Sequence, residues 1–281
     1  MILVEEKNKT REIIKEWKSK GYSIGFIPTM GYLHRGHLSL MEKARRENDK
    51  IVVSIFVNPI QFGPNEDYDK YPRDMAGDIE MCKSVNVDLI FAPSVSDMYK
   101  TSNQVYVDVE KLGDVLCGAK REGHFRGVCT VVAKLFNIIS PDKAYFGEKD
   151  YQQLVIIKKM VDDLDFDLEI IPCAIVREED GLAISSRNSY LSREERKAAL
   201  ILSESLSRAR QAMIGGERDV SIIKNIITNE LSQEPLAVID YVELVDAIEL
   251  RPVARVSERI LVAVAVFIGK TRLIDNFIFE A

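Results

Sequence analysis

Pro28-Thr29-Met30-Gly31-Tyr32-Leu33-His34-Arg35-Gly36-His37 joins a short apolar, β-rich segment, Ser23 to Ile27, to a run in which Leu38, Leu40, Met41 and Ala44 recur at roughly helical spacing. The decapeptide is therefore expected to be a strand-to-helix turn. Gly31 and Gly36 fall in and just after it, where a missing Cβ lets backbone approach a ligand closely. A helix N-terminus there presents unpaired N–H groups and the positive end of the helix dipole, both suited to an anion. His34 and His37 lie one helical turn apart, so both imidazoles can face that anion. The stretch reads as a nucleotide phosphate site. Two His at this spacing also fit metal ligation, but a closed zinc site prefers further Cys or carboxylate partners. The chain has 3 His in all, and His124 sits in a second glycine-flanked loop, Gly123-His124-Phe125-Arg126-Gly127, ahead of an apolar helix-like run. No metal framework emerges.

Working outward, apolar strand-like runs alternate with amphipathic helix-like ones. Strands are expected at Ser23 to Ile27, Ile51 to Val57, Val87 to Ala92, Lys143 to Phe146 and Leu168 to Ile171, and helices at Lys9 to Lys20, His37 to Asn48, Asp74 to Ser84, Val128 to Ile139 and Tyr151 to Asp162. Such alternation implies parallel strands with helical crossovers, a Rossmann-like doubly wound α/β sheet whose ligands collect at the carboxyl ends of the strands. Thr29 to His37, Asn58 to Gln61 and Gly147 to Gln153 each follow a strand end, so they are expected to converge.

Beyond Ile175 the pattern changes. Ser192-Arg193-Glu194-Glu195 is a capping-box pattern opening a helix to about Met213, and Asp219 opens another to about Leu231. Ile239 to Val245 and Ile260 to Ile268 read as strands, with Asn276 to Phe279 a short third. The expected organisation is a Rossmann-like domain over residues 1–175 and a smaller α+β lid domain over 176–281. Val176 to Asn188, with Gly181 and adjacent serines, is the hinge on that reading.

Composition narrows the class. The 281 residues suffice for two domains, and a formal charge of −6 argues against a generic nucleic-acid or anionic-membrane binder. Met1 to Lys20 is charged throughout, unlike a secretory signal, and the longest apolar run, Ile260 to Ile268, is far short of the roughly 20 residues of a membrane span. Cys82, Cys117, Cys129 and Cys173 are widely spaced among apolar neighbours, as reduced core thiols of a cytoplasmic protein would be.

Several blocks carry a family resemblance. Pro-Thr-Met-Gly-x-Leu-His-x-Gly-His resembles the signature of the pantothenate synthetases, the pantoate–β-alanine ligases. Phe56-Val57-Asn58-Pro59-Ile60-Gln61-Phe62, Tyr71-Pro72-Arg73-Asp74, Gly123-His124-Phe125-Arg126-Gly127-Val128, Tyr145-Phe146-Gly147-Glu148-Lys149-Asp150-Tyr151-Gln152-Gln153 and Ser185-Ser186-Arg187-Asn188 resemble the family's other blocks, in its order. Coverage is essentially the whole chain. His-x-Gly-His alone is shared with nucleotidyltransferases and class I aminoacyl-tRNA synthetases; the Asn58 and Gly147 blocks supply the specificity.

The resemblance implies that pantoate attacks the α-phosphorus of ATP to give pantoyl adenylate and pyrophosphate, and that β-alanine then displaces AMP. It implies a catalytic role for His37, with His34 and Lys149 also on the phosphates. The implied ATP site comprises Met30, Gly31, Tyr32, Leu33, His34, Arg35, Gly36, His37, Gly147, Glu148, Lys149, Asp150, Val176, Ile184, Ser185, Ser186 and Arg187. Gln61 and Gln153 match the pantoate-holding glutamines, Gln61 also standing near β-alanine, and Phe56, Val57 and Phe62 are candidates for the apolar wall against pantoate's methyl groups. Mg²⁺ is implied by the triphosphate, with no protein ligand named, and so is a homodimer formed through the larger domain.

Two other readings share parts of this pattern. A nucleotidyltransferase acting on a phosphorylated precursor would use the same His-x-Gly-His logic but would add cations around its acceptor, whereas Gln61 and Gln153 are neutral. A non-catalytic nucleotide-binding module would not need both histidines, Lys149 and Ser185-Ser186-Arg187 together.

Overall fold

The computed structural model describes residues 1–64, 66–99 and 103–281. The chain divides into two compact units, the first formed by Met1–Asp114, Gly118–Glu148 and Gln153–Ala174, the second by Val115–Cys117, Lys149–Gln152 and Ile175–Ala281.

In chain order the first unit carries β1 (Ile2–Val4), α1 (Lys7–Ser19), β2 (Ile24–Thr29), α2 (Arg35–Glu47), β3 (Lys50–Ile55), α3 (Met75–Ser84), β4 (Leu89–Phe91), α4 (Val95–Met98), α5 (His124–Ile139), β5 (Lys143–Gly147), most of α6 (Tyr151–Asp163) and β6 (Glu169–Cys173). The six strands form one parallel sheet in the order β1-β4-β3-β2-β5-β6. This is the doubly wound α/β architecture expected from the alternation. Ile24, Phe26 and Ile27 of β2 and Ile51, Val52 and Val53 of β3 are fully buried, because helices cover both faces of a parallel sheet. β2 lies between β3 and β5, where the strand order reverses. Such a switch point opens a crevice at the carboxyl ends of the strands.

Two differences from the sequence reading have local causes. β1 was not expected: it is a three-residue edge strand on β4 with only Val4 buried, too short for a periodicity to register. α5 starts at His124 rather than Val128, because Gly123 in the left-handed region (φ 74°) turns the chain into the helix ahead of the apolar run.

The second unit carries α7 (Arg193–Ala198), α8 (Leu200–Ile214), α9 (Val220–Leu231), β7 (Ala237–Asp246), β8 (Arg259–Ile268) and β9 (Thr271–Glu280), the strands forming an antiparallel sheet β7-β8-β9. The Ser192–Glu195 capping box is formed, but the expected single helix is interrupted at Ala199. Leu202, Leu206 and Met213 of α8 and Ile223, Ile227 and Leu231 of α9 share one core cluster with Val262, Val264 and Val266 of β8. Burying each such side chain contributes about 1.5–3 kcal/mol. The third strand runs over Thr271–Glu280 rather than the short Asn276 to Phe279 segment. Its apolar pattern is broken by Asp275 and Asn276, which are buried because each has a polar partner within the unit.

Candidate active site

The turn after β2 is held from several sides. Thr29 Oγ1 donates to the Ser54 carbonyl at 2.7 Å and accepts from Gly31 N at 3.2 Å. Gly31 and Tyr32 are both left-handed (φ 79° and 50°). Beneath them, the carboxylate of Asp78 on α3 accepts from Tyr32 N (Oδ2, 3.0 Å) and Leu33 N (Oδ1, 2.6 Å). A Cβ on Gly31 would stand 2.9 Å from Asp78 Oδ2 and from Ile55 Cγ2, so glycine is demanded by space as well as by φ. Burial pushes the Asp78 carboxyl above the usual range, against the opposing pull of the Leu33 and Tyr32 N–H groups.

His34 caps α2: its Nδ1 accepts from Gly36 N at 3.2 Å, while Nδ1 of His37 accepts from His34 N at 3.3 Å, a reciprocal capping box made by two imidazoles. The ring centroids are 4.0 Å apart. With each Nδ1 accepting a backbone N–H, the proton of the neutral ring belongs on Nε2. The sequence reading expected unpaired N–H groups for an anion. Instead Gly31, His34 and Gly36 donate their N–H groups within the turn, and Tyr32 and Leu33 donate theirs to Asp78 of α3.

The β3 carboxyl end carries a second cluster. Gln61 closes a short 3₁₀ turn, Pro59–Gln61, and is buried (8% exposed). Its Oε1 accepts from Asn58 Nδ2 at 3.0 Å, and its Nε2 lies 3.0 Å from Met30 Sδ, which ties the amide to the turn after β2. Asn58 Nδ2 also reaches the Gly127 carbonyl at 3.1 Å, and its Oδ1 accepts from Tyr99 OH at 2.8 Å. His124 holds the backbone. Its Nδ1 donates to the Gln61 carbonyl (2.8 Å) and its Nε2 accepts from Arg121 Nη1 (3.0 Å), while Arg121 grips Glu66 with two bonds of 2.6 Å. Burial pushes the Glu66 carboxyl up, but the Arg121 guanidinium outweighs it and holds it below the usual range. Asn58→Ala should leave Tyr99 OH and Gln61 Oε1 without this partner, lowering stability by about 1–3 kcal/mol in urea melts; an unchanged midpoint would mean that the network holds nothing.

Of the other residues marked on the first unit, Phe56 is buried against Tyr99, and Phe62 packs edge-to-face on Tyr68 and Tyr71. Val57, Glu148 and Gln153 are half-buried and Arg35 is exposed; Gly147 ends β5, and Gln153 lies in the first turn of α6.

In the second unit, Val176 to Ile184 is a tight hairpin. Ile184 N donates to the Val176 carbonyl at 3.0 Å, and Gly181 (φ 97°) donates to Glu178 O at the bend. Arg177 donates to both oxygens of Asp275 (2.7 and 2.9 Å), which pins the hairpin to β9. Asn276 Nδ2 donates to the Lys149 carbonyl at 2.8 Å. Lys149 and Ser185 line one small cavity together with Leu182, Asn188, Leu273 and Asp275. Ser185 Oγ accepts from Arg187 N at 3.3 Å, Ser186 and Ile184 are buried, and Asp150 is exposed.

Sequence reasoning missed Asp78, Asn58 as the amide's partner, Tyr99, and the Asp275-Asn276 pair. Asp78 had a signal: it stands four residues before Cys82, so an acid shares the buried face of α3 with an apolar thiol. Among the described residues no group of three or more His, Cys, Asp or Glu is placed to hold a metal ion.

Comparison with known proteins agrees over the full length. The pantoate–β-alanine ligase family model matches residues 2–278. A pantothenate synthetase of Clostridium botulinum (strain Loch Maree / Type A3) is 57% identical over 280 residues, covering 100% of both chains. The crystal structure of pantothenate synthetase from Thermus thermophilus superposes with a TM-score of 0.94 at 45% identity, covering 99% of each chain. That of pantoate–β-alanine ligase from Francisella tularensis, complexed with β-γ ATP and β-alanine, gives a TM-score of 0.81 at 37% identity, over 99% of this chain and 97% of that one. With a six-stranded parallel sheet, an imidazole pair at its switch point and an uncharged amide beside it, the chain belongs to the pantoate–β-alanine ligase family of enzymes.

Proposed function

We propose that this enzyme condenses pantoate with β-alanine in two steps at the residues described above: ATP and pantoate give pantoyl adenylate and pyrophosphate, and β-alanine then displaces AMP. Joining a carboxylate to an amine in water is uphill, so the carboxylate must first acquire a leaving group. It is already ionised at pH 7 and needs no strong base. The first step needs charge stabilisation at phosphorus and on the departing pyrophosphate. The Nε2–H groups of His34 and His37 take that role in our reading. Lys149 and Ser185-Ser186-Arg187 are assigned to the phosphates, Gly147 and Asp150 to the ribose, and Val176 to the adenine. Met30, Gly31, Tyr32, Leu33, Arg35, Gly36, Glu148 and Ile184 complete the nucleotide set.

Gln61 and Gln153 are assigned to pantoate, with Gln61 also serving β-alanine. A neutral amide orients a nucleophilic carboxylate without the ion pair that an Arg would impose. The contact between Gln61 Nε2 and Met30 Sδ carries this reading, because it joins the amide to the imidazole turn in one unit.

Mg²⁺ bound with ATP would supply charge neutralisation at the phosphates. The described residues offer it no cluster of ligands, so it receives no protein ligand and no step here. A homodimer through the larger unit, a lid role for residues 176–281 and a cytoplasmic setting complete the proposal. Four free thiols and the absence, among the described residues, of a helix long and apolar enough to cross a membrane are compatible with that setting.

Isotope exchange between pyrophosphate and ATP tests the order of events. Exchange should require pantoate, AMP release should additionally require β-alanine, and Lys149→Ala should impair the exchange while leaving the circular dichroism unchanged. Exchange that proceeds with a phosphorylated precursor in place of pantoate would favour a nucleotidyltransferase instead.

A further inference from the structure

The turn that carries both histidines is shaped by a group outside it. Asp78 is 3% exposed on the sheet-facing side of α3, and its partners are backbone N–H groups rather than a cation. Each oxygen takes one of two successive N–H groups, those of Tyr32 and Leu33, immediately before the α2 cap. Tyr32 is a non-glycine residue in the left-handed region, a conformation that persists only where its surroundings enforce it. The carboxylate supplies that enforcement, since its bonds to Tyr32 N and Leu33 N require the two N–H vectors to converge beneath the turn. It also claims two donors that would otherwise offer themselves to an anion, so the turn presents imidazole rather than backbone.

We propose that Asp78 is a positioning residue for adenylate formation: its carboxylate clamps Tyr32 N and Leu33 N and so aims the Nε2–H groups of His34 and His37. This rests on the reading of the turn as the phosphate site. Asparagine at this position keeps the shape but sets an NH₂ donor against one of the two N–H groups, which releases half of the clamp. Gly31→Ala attacks the same clamp from the other side, because its Cβ would stand 2.9 Å from Asp78 Oδ2 while the carboxylate itself is unaltered.

The test separates the two half-reactions by rapid quench, with His37→Asn run in parallel. Asp78→Asn should slow single-turnover formation of pantoyl adenylate by about 10- to 100-fold, the range of a misaimed donor rather than an absent one. It should leave amide formation from saturating, pre-formed pantoyl adenylate within about twofold of the parent, twofold being well under the smallest aim-dependent loss. Gly31→Ala should give the same split and carries the test if Asp78→Asn does not fold. In the double variant the two losses should combine to less than their product, as for two changes to one contact.

A purely structural role would depress both half-reactions together, and that result, or parental rates in both, would overturn the proposal. If His37→Asn also forms adenylate at the parental rate, the phosphate-site reading itself fails. If His37→Asn is impaired while Asp78→Asn is not, only the positioning role falls.

Discussion

His37→Asn should fold as stably as the parent and form pantoyl adenylate about a hundred- to a thousandfold more slowly, the usual loss for one well-placed transition-state donor. The two ring nitrogens of His37 do different work. Nδ1 accepts from His34 N at 3.3 Å and belongs to the helix cap, whereas Nε2 bears the proton that the proposed function assigns to a phosphate. Asparagine places its Oδ1 near the position of Nδ1 and so retains the cap, but it has nothing at Nε2. Glutamine reverses the exchange, since its amide nitrogen reaches the Nε2 position while the cap acceptor is lost. His37→Gln should therefore be less stable by about 1 kcal/mol, typical of a lost helix cap, yet recover part of the rate. Thermal melts and single-turnover kinetics on the pair would show the crossover. Equal rates for both variants and the parent would remove His37 from the chemistry.

Gly127→Ala should damage both the fold and the substrate kinetics. A Cβ there would lie 2.3 Å from the Ile60 carbonyl oxygen, 2.6 Å from Gln61 Cα and 2.7 Å from Gln61 N, all backbone atoms that no rotamer change can move aside. Overpacking a close contact costs about 1–3 kcal/mol, and a backbone neighbour puts this site at the upper end. The function should suffer along with the fold. The displaced segment holds Gln61, whose carbonyl is gripped by His124, while Asn58 bonds both the Gln61 amide and the Gly127 carbonyl. We expect kcat/KM for pantoate to fall at least tenfold, about 1.4 kcal/mol of lost transition-state binding, with KM for ATP little changed. A variant that loses stability but keeps its pantoate kinetics would separate α5 packing from the substrate cradle.

Much of this chain was readable residue by residue. The β2 turn and α2 were announced by an apolar run, two glycines and helical spacing, because those features act within one or two turns of chain. The same holds for the Ser192–Glu195 capping box and for the helix that Asp219 opens. β9 was underestimated for a reason of the opposite kind: Asp275, just ahead of the expected strand, reads as its end until Arg177 is found beside it, as the Lys149 carbonyl is found beside Asn276. Their burial follows from partners about 100 residues away, at separations of 98 and 127.

The alternation of apolar and amphipathic segments, the strand-end placement of His34, His37 and Gln61, and the neutral character of the amide are properties of short windows, set by side-chain period and turn chemistry. Which nitrogen of each imidazole bears a proton, which backbone N–H groups are already taken, and how Asp78, Asn58, Tyr99 and His124 support those side chains came only from packing the chain. A hydrogen bond is chosen by whatever donor and acceptor meet within about 3 Å of each other, and residues distant along the chain meet only once the sheet has assembled.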